Sequence, residues 1–388
     1  MPKPAGHSRY QRSRDTINYN GAGMQTLSPQ IDSQPRRVSA TRSAGRLEFI
    51  DAIRGIAAVL VMVEHYSERW FTQAFLPVTD YVNLGRIGVI TFFVVSGFVI
   101  PMSIERKNNL KEFWISRFCR LYPAYWTALI LFVLLSILES RYGDRQNWQL
   151  LSAYGPRVWL PNIFIAQMFF RVPDVILVSW TLGLEWVIYI TASLLHARKW
   201  LNQWLGIFIA TALLDVAVGI AFPIFTHHRV PFAAVAALTS GAAGLALYRE
   251  WNGQIANKKA WLTIAAYIVL LLVGAQINYG LYPTRSESNF YIKPISEMTS
   301  TFLGFALFLV PMMMKDVQFP KLILWLGRIS YSIYILHDVV PIPRFLGGVS
   351  GFAFQLVETL ILSYLCYRFI ELPGIEFGKR LIRTMRPA

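Results

Sequence analysis

Apolar stretches recur along this chain at residues 48–69, 86–105, 119–139, 175–196, 203–225, 231–249, 260–280, 295–314, 322–343 and 352–372. Each approaches the ~20 residues that cross a hydrocarbon core as an α-helix. Several hold Gly or Pro, which a membrane helix tolerates where its neighbours satisfy the freed backbone groups. The pattern predicts an all-α polytopic membrane protein of about ten transmembrane helices. Residues 1–46 carry no apolar core and are rich in Arg, Ser, Gln and Pro, so they read as a disordered tail without a signal peptide. The expected organisation is a tail at 1–46, a membrane domain at 47–375 and a C-terminal tail at 376–388, with no soluble catalytic domain after the last span.

Composition supports this class. Apolar residues make up 54% of the chain and charged residues 15%, whereas a soluble domain carries about 25% charge. The net charge of +15 is unevenly placed. Eight Lys and Arg residues lie in Met1–Arg46, and further ones are Arg106, Lys107, Lys111, Arg117 and Arg120, then Arg249, Lys258 and Lys259, then Lys379, Arg380, Arg383 and Arg386. Enrichment in alternate loops is the positive-inside pattern. It puts both termini in the cytoplasm and makes membrane lipid, not nucleic acid, the partner of this charge.

The connection 140–174 is an exception, with Arg141, Arg145, Arg157 and Arg171 on the outer side. Its Trp148, Trp159 and Pro161 favour a segment lying along the outer interface over one that re-enters the membrane. Cys119 and Cys366 sit near or within apolar stretches and offer no disulfide framework. His227 and His228 have no further ligands at metal spacing, so they read as solvent-facing and no metal site is expected.

Polar residues inside the spans carry the candidate chemistry. Arg54 and His65 are eleven residues apart in the first span. At 100° per residue they share a helix face to within about 20°, separated by about 16 Å along the axis. An arginine in hydrocarbon needs pairing or solvation, so the two residues either mark a functional site or are an Arg snorkelling to the interface and a His bonded to a neighbouring helix. Glu185, in Ser179-Trp180-Thr181-Leu182-Gly183-Leu184-Glu185, falls at the depth of His65. A carboxylate–imidazole pair there would fix the histidine tautomer and strengthen it as a base, or serve only as an interhelical tie.

In Phe92-Phe93-Val94-Val95-Ser96-Gly97-Phe98, Gly97 allows close helix approach and Ser96 can bond a neighbour or a ligand. Arg117 and Arg120, in Arg117-Phe118-Cys119-Arg120-Leu121-Tyr122-Pro123, share a face near the cytoplasmic surface. They could hold phosphates bidentately or act only as a positive-inside signal. Gly327-Arg328-Ile329-Ser330-Tyr331-Ser332-Ile333-Tyr334-Ile335-Leu336-His337 adds hydroxyls, Tyr331 among them, that could line an acceptor path toward His337. Glu371 lies near the cytoplasmic end of the last span.

Taken together, the Asp51-Ala52-Ile53-Arg54 and His65 pieces, Phe92–Phe98, Arg117–Pro123, Trp180–Glu185 and Gly327–His337 resemble the bacterial membrane-bound acyltransferase 3 family over residues 47–375. Thr181 stands where the family usually has Ser, and Glu64 beside His65 is an unusual neighbour. The resemblance implies a stand-alone O-acyltransferase of the bacterial inner membrane. Such an enzyme moves an acyl group, generally acetyl, from cytoplasmic acyl-coenzyme A to a saccharide or lipid-linked saccharide hydroxyl. Acetyl-coenzyme A is then a donor substrate, and no permanently bound cofactor is expected. In this reading His65 is the base or a transient acyl carrier, with Glu185 as its partner. Arg54, Arg117 and Arg120 face the donor's phosphates, and Ser96, Tyr331 and His337 face substrate. The alternatives left open are a transporter or flippase for a lipid-linked sugar, a succinyltransferase on the same acceptor, and a scaffolding membrane protein.

Overall fold

A backbone in hydrocarbon must satisfy its own hydrogen bonds, and this chain does so almost wholly with helices. The computed structural model describes residues 47–141, 146–228, 230–282, 284–285, 291–314, 317–341 and 346–386. The predicted tail at 1–46 lies outside the described residues. In chain order the helices are α1 (Glu48–Trp70), α2 (Thr72–Thr79), α3 (Leu84–Lys107), α4 (Leu110–Arg141), α5 (Gln146–Ala153), α6 (Pro156–Ile163), α7 (Gln167–Phe170), α8 (Trp180–Ala197), α9 (Trp204–Leu214), α10 (Phe222–Thr226), α11 (Phe232–Trp251) and α12 (Asn257–Gln276). A two-residue antiparallel ladder, β1 (Thr284–Arg285) with β2 (Tyr291–Ile292), follows. Then come α13 (Pro294–Met313), α14 (Lys321–Arg328), α15 (Ser330–Leu336), α16 (Gly348–Cys366) and α17 (Leu372–Met385).

Among the described residues, eight helical segments are long and apolar enough to cross a membrane. Two predicted spans differ from these. The 23-residue α1 is full length, but Asp51, Arg54, Glu64 and other charges make it more polar than the eight. It is enclosed by α3, α14 and α15, so its charges meet protein. The stretch 322–343 is the broken pair α14–α15, interrupted at Ile329. Ser330 Oγ donates across the break to the Gly327 carbonyl at 2.9 Å, and Tyr331 Oη ties α15 to α4 by donating to Leu121 O at 2.9 Å.

The centre of the bundle is α3, packed against α1, α11 and α13. Of the most apolar stretches, 72% of α3 and 78% of α11 is buried, against 17% of Trp204–Thr226, which faces outward. Glycine sets the central crossing. A Cβ on Gly97 would overlap the Gly241 carbonyl, and one on Gly244 that of Val94, so only backbone fits there.

In the connection 140–174 the short helices pack on a neighbour while Leu160, Phe164, Phe169 and Phe170 stay exposed. The α6–α7 turn folds back against the middle of α4. Tyr122 Oη donates to Phe164 O at 3.0 Å, Tyr125 Oη to Asn162 O at 2.7 Å and Trp126 Nε1 to Ile163 O at 3.0 Å. These three donors tie the turn to α4, and the Asn162 carbonyl also accepts from Ile165 N at 3.2 Å. Arg249, counted above as a loop cation, is 1% exposed and donates to Glu105 at 2.6 and 3.2 Å. It locks the end of α11 to that of α3. Residues 376–386 continue in α17, which packs on α4 with Gly374 and Gly378 against Cys119. Cys119 and Cys366 are both free and buried.

Wide π turns interrupt three helices at Asp215–Ala221, Ile277–Leu281 and Tyr367–Glu371. Each buries one polar side chain, Asp215, Asn278 and Glu371 respectively. Asp215 accepts from Thr239 Oγ1 at 3.1 Å and Tyr267 Oη at 2.7 Å, and Asn278 donates to Gly219 O at 2.5 Å. Those two tie α9, α11 and α12 together.

Glu64 serves the fold. Its carboxylate accepts from Asn83 Nδ2 at 2.8 Å and from Leu84 N at 2.9 Å, capping the start of α3. The side chain is fully buried, so Glu64→Ala leaves two donors unpaired, at about 1–3 kcal/mol each. Thermal unfolding in detergent is expected to show a clearly lowered midpoint. An unshifted midpoint would mean that water replaces the carboxylate.

Candidate functional site

Four helices and the break between α14 and α15 enclose a cavity of ≈ 110 Å³. Six of the sequence-predicted residues line it: Arg54 from α1, Ser96 from α3, Arg117 and Arg120 from α4, Glu185 from α8 and Tyr331 from α15. Their convergence has local causes. Arg54 adjoins Gly55, in the crossing where Gly55 and Gly327 bring α1 against α14. Arg117 and Arg120 share one face of α4. Thr181 and Glu185 are one turn apart on α8, whose start is set by Ser179 accepting from Gln167 Nε2 at 2.8 Å.

The cavity holds three guanidinium groups and one carboxylate. Glu185 Oε1 accepts from Tyr189 Oη at 2.6 Å and from Ser96 Oγ at 3.4 Å. Arg120 Nε stands 4.0 Å from Glu371, which also accepts from Ser332 Oγ at 2.9 Å. The Arg117 guanidinium rests 5.2 Å from the Phe113 ring centroid and 5.5 Å from that of Tyr189, and its Nε is buried without a hydrogen bond. Arg54 makes no hydrogen bond among the described residues. Guanidinium donors left unused around a half-buried chamber are suited to an incoming polyanion.

The predicted His65–Glu185 pair does not form. His65 stacks instead on His337, with ring centroids 5.2 Å apart and planes at 30°. Glu185 lies in the cavity at the level of Arg54, about 16 Å along α1 from His65, so the expected common depth is not met; His65 meets the end of α15 instead. His337 is fully buried, and its Nδ1 lies 3.2 Å from Ile333 O, which assigns the proton to Nδ1. Its Nε2 is then a buried acceptor without a partner. Tyr66 Oη donates to His337 O at 3.0 Å and pairs with Thr359 Oγ1 at 2.5 Å. Beside the imidazoles, Asp338 accepts from Arg69 at 3.0 Å and from Leu177 N at 2.8 Å, joining the end of α1 to the approach to α8. Glu64 points away from His65, into its cap on α3.

Tyr334 stands between the two groups. It lines the cavity, its ring centroid is 5.9 Å from that of His337, and its hydroxyl pairs with Thr181 Oγ1 at 2.7 Å. Thr181 in turn donates to Val178 O at 2.9 Å. The result is a polar track from the arginines through Tyr334 to the histidines. Tyr189, Arg69 and Asp338 were not singled out from the sequence, Thr181 was noted only as standing in place of Ser, and Tyr334 only as one hydroxyl of the 327–337 stretch. A signal existed for Tyr334, three residues after Tyr331 on a helix face, and for Asp338 beside His337. His227 and His228 are exposed and lie away from this track, His228 Nδ1 meeting its own loop at Thr226 O, 2.6 Å.

Comparison with known proteins follows the same boundaries. A sequence family described as an acyltransferase domain matches residues 47–369. The peptidoglycan O-acetyltransferase OatA of Listeria monocytogenes is 27% identical over 369 residues, 84% of this chain and 55% of its own length. The O-acetyltransferase OatA of Staphylococcus aureus is 25% identical over 376 residues, 87% of this chain and 58% of its own length. The acyltransferase MdmB of Streptomyces mycarofaciens is 23% identical over 345 residues, 80% of this chain and 83% of its own. This chain thus spans little more than half the length of the two OatA proteins. No solved structure matches.

Proposed function

This chain belongs to the acyltransferase 3 family, matched over residues 47–369, and on that premise we propose that it carries an acetyl group from cytoplasmic acetyl-coenzyme A to a hydroxyl of an extracytoplasmic or lipid-linked saccharide. Its seat is the bacterial inner membrane, with both termini cytoplasmic, as the placement of Lys and Arg supports. The observation that carries the reading is the cation-rich inner cavity joined through Tyr334 to a pair of imidazoles. A donor with several phosphates needs the first, and deprotonation of a hydroxyl needs the second.

In this reading Arg54, Arg117 and Arg120 hold the donor's phosphates, and the thioester lies near Ser96, Thr181 and Tyr334. His65, with His337 against it, takes the proton of the acceptor hydroxyl. The new carbon–oxygen bond forms as the carbon–sulfur bond breaks, and the proton returns to the departing thiolate of coenzyme A. Tyr331 and His337 border the acceptor's path. Glu185, bonded to Tyr189 and Ser96, works on the donor side by spacing the three guanidinium groups. The acyl group is taken as acetyl because the OatA relatives are named O-acetyltransferases. A saccharide acceptor is supported by the Listeria relative, whose name places its acetyl group on peptidoglycan. Acetyl-coenzyme A is a substrate here, and the scheme uses no resident cofactor or metal.

The test is purified protein in proteoliposomes supplied with labelled acetyl-coenzyme A or succinyl-coenzyme A, with surface glycans compared by mass between a deletion strain and its complement. Acetyl transfer in vitro and acetyl groups restored by the complement are expected. Succinyl transfer would correct the acyl group. Unchanged glycans in the deletion strain would remove the saccharide acceptor.

A further inference from the structure

We infer that the 3′-phosphoadenosine end of the acyl donor docks in a second, open bowl on the inner rim, between the α3–α4 turn and the end of α8. This rests on acyl-coenzyme A being the donor, as proposed above. The bowl encloses ≈ 600 Å³, with Asn108, Asn109 and Lys111 on one wall and His196 and Lys199 on the other. Two ammonium groups, an imidazole and two amides face this space, and no carboxylate lines it. That is the chemistry of a site for a phosphate monoester on a polar heterocycle. One wall is firmly built, since Asn109 Oδ1 accepts from Lys111 N at 2.9 Å and so caps the start of α4.

The bowl and the cavity share two helices and one face of α8, on which His196 lies within about 20° of Tyr189 and Glu185. Lys111 and Arg117 are six residues apart on α4, about 9 Å along its axis, and Arg120 is about 14 Å from Lys111. On α8, His196 lies about 10 Å from Tyr189 and about 16 Å from Glu185. The same two helices therefore carry both sites. The seam between them is built of stacked rings, with Trp114 and Trp186 at 5.2 Å and 20°. Two buried donors on this seam, Arg117 Nε and Trp186 Nε1, have no partner. An elongated ligand rich in phosphate and amide oxygens, laid from the bowl to the cavity, would supply acceptors for both. The 3′-phosphate would meet Lys111 and Lys199, the pyrophosphate Arg117 and Arg120, and the acyl end the cavity.

The shared chemistry is a phosphate monoester, which an anionic lipid headgroup could also present. The experiment compares the affinities of coenzyme A and 3′-dephospho-coenzyme A for the full chain in phosphatidylcholine nanodiscs, alongside Lys111→Gln/Lys199→Gln, whose exposed side chains leave the fold intact. The wild type is expected to favour coenzyme A by about tenfold or more, one charge-assisted contact being worth about that factor, and the double variant to lose this preference. It should bind 3′-dephospho-coenzyme A as the wild type does. A preference retained by the variant overturns the inference while leaving the donor assignment in place. A preference that vanishes in nanodiscs containing phosphatidic acid, whose headgroup is a phosphate monoester, assigns the bowl to lipid phosphate and overturns it too. Failure of the wild type to bind either ligand removes the donor itself, and both readings with it.

Discussion

His65→Ala is expected to abolish acyl transfer in a protein that still inserts and assembles. General-base catalysis contributes about 10²–10⁴ in rate, so turnover should fall by at least two orders of magnitude. The fold should tolerate the change. Alanine is the best helix former, and α1 remains packed against α3, α14 and α15. The stacking lost against His337 is worth about 0.5–1.5 kcal/mol, small beside the packing of the bundle. His337 is the less clean target, because it is fully buried and its removal opens a hole beside Tyr66. Turnover is read in proteoliposomes, with insertion checked by chromatography in detergent. Acid-quenched mass analysis of the wild type separates the two roles for His65, since an acetylated histidine peptide marks an acyl carrier and its absence a base. Transfer at the wild-type rate by a well-assembled His65→Ala protein would take His65 out of the mechanism.

Arg117→Gln combined with Arg120→Gln should weaken coenzyme A binding severely, with little effect on the acceptor. Each lost charge-assisted phosphate contact is worth about 1.5–3 kcal/mol, so the pair together is expected to lower donor affinity by two orders of magnitude or more. The structure suggests that the folded state does not depend on either charge. Arg117 lies over two rings with Nε unpaired, and Arg120 stands at the 4.0 Å limit from Glu371, which keeps Ser332. Calorimetric titration with coenzyme A reads the effect. Lysine at both positions should restore only part of the affinity, because an ammonium cannot make the bidentate fork. Unchanged affinity in the glutamine variant would return both residues to the role of loop cations that orient the chain.

What lies along one helix was legible in the sequence. Hydropathy summed over ~20 residues located the apolar helices, since crossing hydrocarbon is a requirement on local composition. The 100° turn per residue aligned Arg54 with His65 and Arg117 with Arg120, because a helix fixes its own faces. Six candidate residues from five helices accordingly line one cavity. Which helices are neighbours was decided only in three dimensions. Hydropathy put His65 and Glu185 at one depth, yet α1 presents His65 to His337, while Glu185 bonds Tyr189 and lines the cavity beside Arg54, about 16 Å along α1 from His65. The break at Ile329, the α6–α7 turn held by Tyr122, Tyr125 and Trp126, the Glu64 cap and the Arg249–Glu105 pair are of the same kind. Each depends on a partner many residues away in the chain. A window of sequence reports how much a segment prefers hydrocarbon and which residues share its face; it holds no record of the side chains that arrive from elsewhere to satisfy it.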